Sequence, residues 1–368
     1  MLTILTLPLL ILYGMFLIYI LVRLLLHAPA LPVPTSDKPS LSVVVPFKNE
    51  AHNLGALCAS LASQEYSGPW EIVLVNDGSD DGFESVLDRF RDRFTGRLRC
   101  IPSRFDAAKR ITSKQQALDT GVEAAVGEWI VLTDADMTFD RHWLSTGAAN
   151  VATGFDLAFG HTAIRYPGRG IFEYCQRFQL EFLFAAAYAF RASSLDASCM
   201  GNNLIVRKKA YVEFGGQAGI GYSIVEDRDL YRKFARQGRT IGAIEPFSAK
   251  AFTTPCPHVP QFYQQMLRWM RGGFSGSPQL LGAALLFTIQ NITFFASVSG
   301  LASRAVCIAA AFNFLVTMVY AGLSFGKIKS TESIFFVPVY LAFSVIEAAV
   351  FCLSFVLTPR VSWKKTRL

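Results

Sequence analysis

The chain has 368 residues, 52% of them hydrophobic and 17% charged, with 7 cysteines and a formal net charge of +7. That apolar excess is unlike an ordinary soluble domain and points to one sizeable globular domain plus membrane segments. Basic residues that are scattered without a recognition motif argue against nucleic acid, leaving anionic headgroups or a phosphate-bearing substrate. An odd number of widely spaced cysteines, with no CxxC pair, argues against a disulfide framework and against a zinc site.

Residues 1–26, MLTILTLPLLILYGMFLIYILVRLLL, carry no charge before Arg23 and are long enough to cross a hydrocarbon core of about 30 Å as a helix. The run lacks a basic start and is too long for a cleaved signal, so 1–28 is expected to be an anchor. Arg23, His27 and Lys38 follow it, which places its C-terminal end in the cytoplasm by the positive-inside rule. Residues 29–40 form a Pro-rich linker. Over 41–260 strand and helix patterns alternate, the signature of an α/β domain with a mainly parallel sheet. LSVVV (41–45), EIVLV (71–75), RLRCI (97–101), EWIVL (128–132) and DLAFG (156–160) are the expected strands. Helical patterns cover 83–94 and 113–126. The stretch 172–190 is apolar but interrupted by Glu173, Arg177 and Glu181, and is expected to be a buried or membrane-skimming helix. Residues 261–273, QFYQQMLRWMRGG, form an amphipathic interfacial helix. Three apolar runs at about 279–299, 304–325 and 333–357 supply two or three further spans, and 358–368 is a basic tail.

In open parallel sheets ligands bind beyond the carboxyl ends of the strands. Three polar clusters lie at such ends: Pro46-Phe47-Lys48-Asn49-Glu50, Asn76-Asp77-Gly78-Ser79 and Asp134-Ala135-Asp136. Each alone has a bland reading as turn residues or helix caps. Converging on one edge, they suit a nucleotide diphosphate held by Mg²⁺ or Mn²⁺, a hard cation that takes carboxylate and phosphate oxygens. The alternation of a strand would turn Asp134 and Asp136 to the same side, and Asp77 can accept the imide proton of a uracil ring. Glu226-Asp227 opens another helical pattern, either as acids complementing the helix dipole or as a general base over a sugar. Arg268 and Trp269 serve either a membrane interface or a diphosphate and a sugar face.

VVVPFKNE, VNDGS, SKQQAL, DAD, GNNLIVR, VED and Gln265-x-x-Arg268-Trp269 occur in the order found in family 2 glycosyltransferases. The chain resembles their membrane-bound branch, which includes cellulose, chitin and hyaluronan synthases and ceramide glucosyltransferase. The resemblance covers about 41–272 and the anchor layout. It implies a GT-A fold (Rossmann-like, mainly parallel sheet) with transmembrane helices at both ends, a nucleotide-sugar donor, a divalent metal and inversion at the anomeric carbon. Carried over position by position, it implies Glu50 and Asp77 as nucleoside contacts and Lys114 as a nucleotide contact. Asp134 and Asp136 correspond to the donor–metal aspartates, and Asp227 to the base, with Glu226 beside it as a substrate contact. Gln265, Arg268 and Trp269 correspond to the donor–acceptor floor. The family often has Gly-Lys and a later Asn where this chain has Ser113-Lys114 and Asp119.

The expected activity is transfer from a UDP-sugar to a lipid or lipid-linked acceptor at the cytoplasmic face of a membrane, by analogy a bacterial inner membrane. Two rivals remain at this point. One is a short polysaccharide synthase completed by a membrane partner subunit, and the other is a non-catalytic nucleotide-binding scaffold of an envelope-assembly complex.

Overall fold

The computed structural model describes residues 2–27, 38–165, 170–193, 195, 197–245, 247, 249–274, 277–330, 335, 337–345, 362–363 and 366–367. In chain order the elements begin α1 (Leu2–Leu26), β1 (Leu41–Phe47), α2 (Ala51–Ala62), β2 (Trp70–Asn76), α3 (Glu84–Asp88), α4 (Arg91–Phe94), β3 (Leu98–Pro102), α5 (Ser113–Ala124) and β4 (Trp129–Leu132). They continue as β5 (Thr138–Phe139), α6 (Trp143–Val151), β6 (Leu157–Phe159), β7 (Thr162–Ile164), α7 (Ile171–Ala192), β8 (Leu204–Arg207), α8 (Lys208–Glu213) and α9 (Gly216–Ile220). Then come α10 (Glu226–Arg236), β9 (Ile241–Ala243), β10 (Ala251–Thr253), α11 (Val259–Phe274), α12 (Pro278–Val298) and α13 (Arg304–Lys327). Residues 337–345 are helical, and β11 (Ser362–Trp363) pairs with β12 (Thr366–Arg367). Most of the 29–40 linker, of the run 333–357 and of the basic tail lies outside the described residues.

The chain divides into two units, residues 29–166 with 198–254, and residues 1–28 with 167–197 and 255–368. The first is built on a seven-stranded sheet in the order β3-β2-β1-β4-β8-β6-β9. β1 pairs in parallel with both β2 and β4, which explains its mostly apolar run: all seven of its residues, Ser42 included, are buried. β2–β3 and β6–β9 are also parallel, and β8 runs antiparallel between β4 and β6. Sheet and helices share one core of Val43, Val45, Leu54, Leu57, Ile72, Leu74, Val131 and Ile205, among others. α5 lies so close to the sheet that a Cβ on Gly121 would run into the side chains of Val44 and Val75. β5, β10 and β7 form a second, three-stranded sheet.

The expected helix over 83–94 is two short ones. The Phe90 N–H turns back to the Leu87 carbonyl (2.9 Å), a tight turn that lets both Phe90 and Phe94 reach the core.

In the other unit α1 (from Leu5), α12 and α13 are long and apolar enough to cross a membrane. Polar groups tie them together in their buried seam. Asn313 Nδ2 donates to the Leu10 carbonyl (2.8 Å) and to Gln290 Oε1 (3.1 Å), and Gln290 Nε2 donates to the Ala310 carbonyl (2.9 Å). α7 joins this unit. Its C-terminal Ala192 carbonyl accepts from Arg23 Nη2 (2.9 Å), satisfying a group that a helix end leaves open.

Candidate active site

The parallel register aligns the ends of β1 and β2, Phe47 opposite Asn76, so the loops after them leave one sheet edge side by side. These loops are knitted together. Asn49, in the left-handed region at φ 55, accepts the Asp80 N–H on Oδ1 (3.0 Å) and donates its own N–H to Ser79 Oγ (3.0 Å). Asp81 Oδ2 accepts the Ala51 N–H (2.6 Å), and Asn76 Oδ1 accepts the Ser79 N–H (2.7 Å). The mesh fixes Glu50 at the start of α2 and Asp77 at the end of β2, both partly buried.

β4 ends at Leu132. The Thr133 N–H makes the last bond to the sheet, at the Val44 carbonyl (3.3 Å), and its hydroxyl turns to the Asn202 carbonyl (2.8 Å). Asp134 and Asp136 therefore occupy the turn between β4 and β5, not alternating strand positions as the sequence suggested. They still act on one another electrostatically. Burial, first, and then the charges of Asp134 and Glu50 push the Asp136 carboxyl up to about 6, against the Lys114 charge and the Thr253 hydroxyl, which donates to Oδ2 at 3.2 Å.

α5 begins with a capping box between Thr112 and Gln115. Its first turn organises the cleft. Lys114 Nζ lies 2.9 Å from Asp134 Oδ1 and 2.7 Å from Glu226 Oε1. The fully buried Gln115 donates from Nε2 to the Gly221 carbonyl (2.8 Å) and accepts the Ser223 N–H on Oε1 (3.2 Å). One turn further on, Asp119 accepts from the Tyr211 hydroxyl (2.7 Å) and from the N–H groups of Gln217 (2.8 Å) and Ala218 (3.0 Å). The segment 217–223 that leads into α10 is thus held by α5. At this departure from the family pattern, the Asp119 carboxylate binds the first turn of α9.

Glu226 and Asp227 open α10. Asp227 Oδ2 accepts the Gly201 N–H (2.6 Å) and Oδ1 accepts the Arg228 N–H (2.7 Å). Despite these donors, burial and the neighbouring Glu226 charge raise the Asp227 carboxyl to about 6, with Lys114 opposing. The helix dipole does not dominate here: desolvation exceeds the few tenths of a kcal/mol that a helix start offers a carboxylate. Lys114, Thr133, Asp134, Gly201, Glu226 and Asp227 line one cleft.

Among the described residues no three His, Cys, Asp or Glu side chains are grouped closely enough to hold a metal alone. Asp134 and Asp136 fit a cation that draws its remaining oxygens from phosphate and water. This is the usual habit of Mg²⁺ at diphosphates, and the raised Asp136 carboxyl marks a negative corner that a dication would relieve.

Gln265, Arg268 and Trp269 belong to the other unit, on α11. Their spacing sets them along one face of the helix. Trp269 packs on a cluster of Cys256, Phe262, Met266 and Leu267, and Gln265 Oε1 accepts from Cys256 Sγ (3.4 Å). The sequence motifs include Gly201, Gln115 and Asp119 but assign none of them its role in holding the cleft together. Gly201 opens the GNN stretch just before the apolar run LIVR, a signal for a close backbone approach.

The profile of glycosyl transferase family 2 matches residues 42–215, and that of glycosyl transferase family group 2 matches residues 129–355. Glycosyltransferase AglE of Haloferax volcanii is 30% identical over 142 residues, 37% of this chain and 43% of the relative. An undecaprenyl-phosphate 4-deoxy-4-formamido-L-arabinose transferase of Pectobacterium carotovorum is 27% identical, over 33% of this chain and 36% of the relative. The matched region thus spans less than half the length of either relative. The mannosyltransferase PcManGT of Pyrobaculum calidifontis, solved with GDP-Man and Mn²⁺, shares the fold with a TM-score of 0.53 at 19% identity, covering 92% of this chain and 95% of that one. A mainly parallel sheet of this order, an acidic cleft at its carboxyl edge and a profile match over more than half of the chain lead to one conclusion: the chain belongs to glycosyl transferase family group 2 and is a family 2 glycosyltransferase with a GT-A fold.

Proposed function

We propose that the protein transfers a sugar, with inversion, from a UDP-sugar to a lipid or lipid-linked acceptor at the cytoplasmic face of a membrane. The observation that carries this reading is the position of Asp227 in the same cleft as Asp134 and Lys114, fixed by the Gly201 N–H. In this reading Asp77 accepts the imide proton of the uracil and Glu50 meets the nucleoside. Lys114 offsets the negative charge of the diphosphate. Asp134 and Asp136 hold Mg²⁺ or Mn²⁺, which when bound neutralises charge on the departing diphosphate. The acceptor oxygen forms its bond to the anomeric carbon from the face opposite the diphosphate. As it does so, the bond from that carbon to the diphosphate oxygen breaks and UDP leaves with the electron pair. Asp227 takes the acceptor proton as the new bond forms. A carboxyl near 6 is mostly ionised at neutral pH, yet more basic than an ordinary aspartate, which suits a general base.

Three observations support the acceptor class and orientation. Three helices suffice to station an enzyme at a lipid surface, one relative is named an undecaprenyl-phosphate sugar transferase, and Arg23 and Lys38 follow the first apolar segment. The test is to incubate purified protein in lipid with a panel of nucleotide sugars, with polyprenyl phosphates and glycolipids as acceptors. The products are identified by mass spectrometry, with and without a chelator. Labelled lipid that needs a UDP-sugar and a divalent metal is expected. Transfer undiminished in the chelator would remove the metal from the reading, and transfer only to soluble saccharide would remove the lipid.

A further inference from the structure

One ammonium in the cleft serves carboxylates from two separate chain segments. Lys114 Nζ meets Asp134, in the turn after β4, at 2.9 Å and Glu226, at the start of α10, at 2.7 Å. Glu226 is largely buried, its side chain 12% exposed, while Lys114 is 37% and Asp134 34% exposed, so part of this bridge is withdrawn from solvent. Asp134 is also one of the two carboxylates assigned above to the metal. An ammonium and a dication cannot both take full advantage of the same aspartate, because their like charges repel in a corner where water screens poorly.

The geometry points to Lys114 as a resident counter-ion, one that occupies the donor–metal aspartate until a nucleotide diphosphate draws it away, so that metal and nucleotide enter together. The inference rests on the donor and metal reading proposed above. A diphosphate gives the ammonium a new set of strong acceptors, and the four-carbon stem of lysine is flexible enough to follow them. Asp134 is then left to the cation. Glu226, beside Asp227, is released in the same movement, so the acceptor side of the cleft is completed only after the donor has arrived. By linkage, nucleotide raises the affinity for metal and metal raises the affinity for nucleotide by one common factor, and Lys114 supplies part of it.

The experiment is Mn²⁺ binding to the full-length protein in detergent at pH 7.5, followed by electron paramagnetic resonance of the free ion, with and without UDP. Wild type should bind Mn²⁺ at least about tenfold more tightly with UDP present. Lys114→Gln should bind Mn²⁺ without UDP about fivefold or more tighter than wild type, and the benefit of UDP should shrink accordingly. Lys114→Arg, which keeps the charge, should retain the weak nucleotide-free binding, and Lys114→Met replaces the Gln variant if that one is poorly folded by circular dichroism. Nucleotide-free affinity in the Gln or Met variant that equals or falls below that of wild type would overturn the counter-ion. Tight wild-type binding that ignores UDP would do the same while leaving the metal reading intact. A wild type that binds no Mn²⁺ in either arm would overturn the metal reading itself, and this inference with it.

Discussion

Gly201→Ala is the most searching single change that this cleft offers. A Cβ built on Gly201 would stand 2.6 Å from Asp227 Cβ, 2.7 Å from Oδ2 and 2.9 Å from Cγ. Comfortable carbon contacts begin at about 3.5 Å, so one segment must retreat by roughly 1 Å. The Asp227 Cβ cannot swing aside as the tip of a long side chain would, because it is fixed to the first turn of α10. Relief must therefore come from moving the carboxylate or the 199–203 backbone, and either stretches the 2.6 Å bond from the Gly201 N–H. Overpacking of this kind costs about 1–3 kcal/mol of stability. Displacement of a base by about 1 Å can cost on the order of a hundredfold in rate. Turnover at saturating donor should fall about a hundredfold, while calorimetric UDP affinity stays within a few-fold of wild type. In an Asp227→Asn background the same Gly201→Ala change should lower turnover little further, because both changes act through one carboxylate. Turnover of Gly201→Ala within a few-fold of wild type would refute the claim that this glycine positions Asp227.

Asp227→Asn itself should lower transfer by at least about a hundredfold with little effect on UDP binding, whereas an acid that only begins a helix would leave turnover nearly intact. The rate should also fall as pH drops below about 6, since Asp227 loses its charge there. Asp136→Asn should raise the thermal midpoint of the protein free of metal and donor. Its carboxyl is raised from 3.8 to about 6, so ionisation is costlier folded than unfolded; the penalty is full above about 6 and gone below 3.8. After discounting for solvent screening the gain is on the order of 1 kcal/mol at pH 7.5, and it should vanish near pH 4 in a thermal-shift assay. For orientation, Arg91→Cys in a Cys100→Ser background presents a thiol at an exposed position, the Arg91 side chain being 81% exposed. It should react in intact cells only with a membrane-permeant reagent, and labelling by an impermeant one would reverse the proposed topology.

The sequence disclosed those parts of the molecule whose signal is carried by continuous runs. β1, β2 and β4 are buried apolar stretches ending in polar clusters, and each lies where its pattern put it. α5, α7, α10 and α11 are likewise periodic over at least eleven residues. Strands such as β5, β7, β9 and β10 have two or three residues, too few for any period to emerge, and their existence depends on partners distant in sequence. Within the cleft, Asp134, Asp136, Glu226 and Asp227 were nominated by residue type and place. What the sequence could not disclose is how they are held. Gly201 and Asp227 meet across 26 positions, and Gln115 reaches Ser223 across 108. The raised carboxyl of Asp227 has the same origin: helix position is local and legible, whereas the burial that raises it is a property of the assembled unit.

The place of β8 in the sheet has a consequence for the growing chain. It lies between β4 and β6 but is made after both, with all of α7 intervening. Until residues 204–207 emerge, the β3-β2-β1-β4 half of the sheet ends in an open ladder at β4, and β6 has no neighbour to join. A ribosome adds about 5–20 residues per second, so roughly ten to forty seconds separate completion of α1 from completion of β9. The apolar first helix is ready for a bilayer from the start, and for about four to fifteen seconds of that interval, between completion of β4 and completion of β8, an unpaired strand edge, a template for adhesion to other chains, waits for its partner. Translation stalled ahead of β8 would therefore leave a fragment with an open edge, lacking Asp227 and the rest of the cleft, and prone to aggregate.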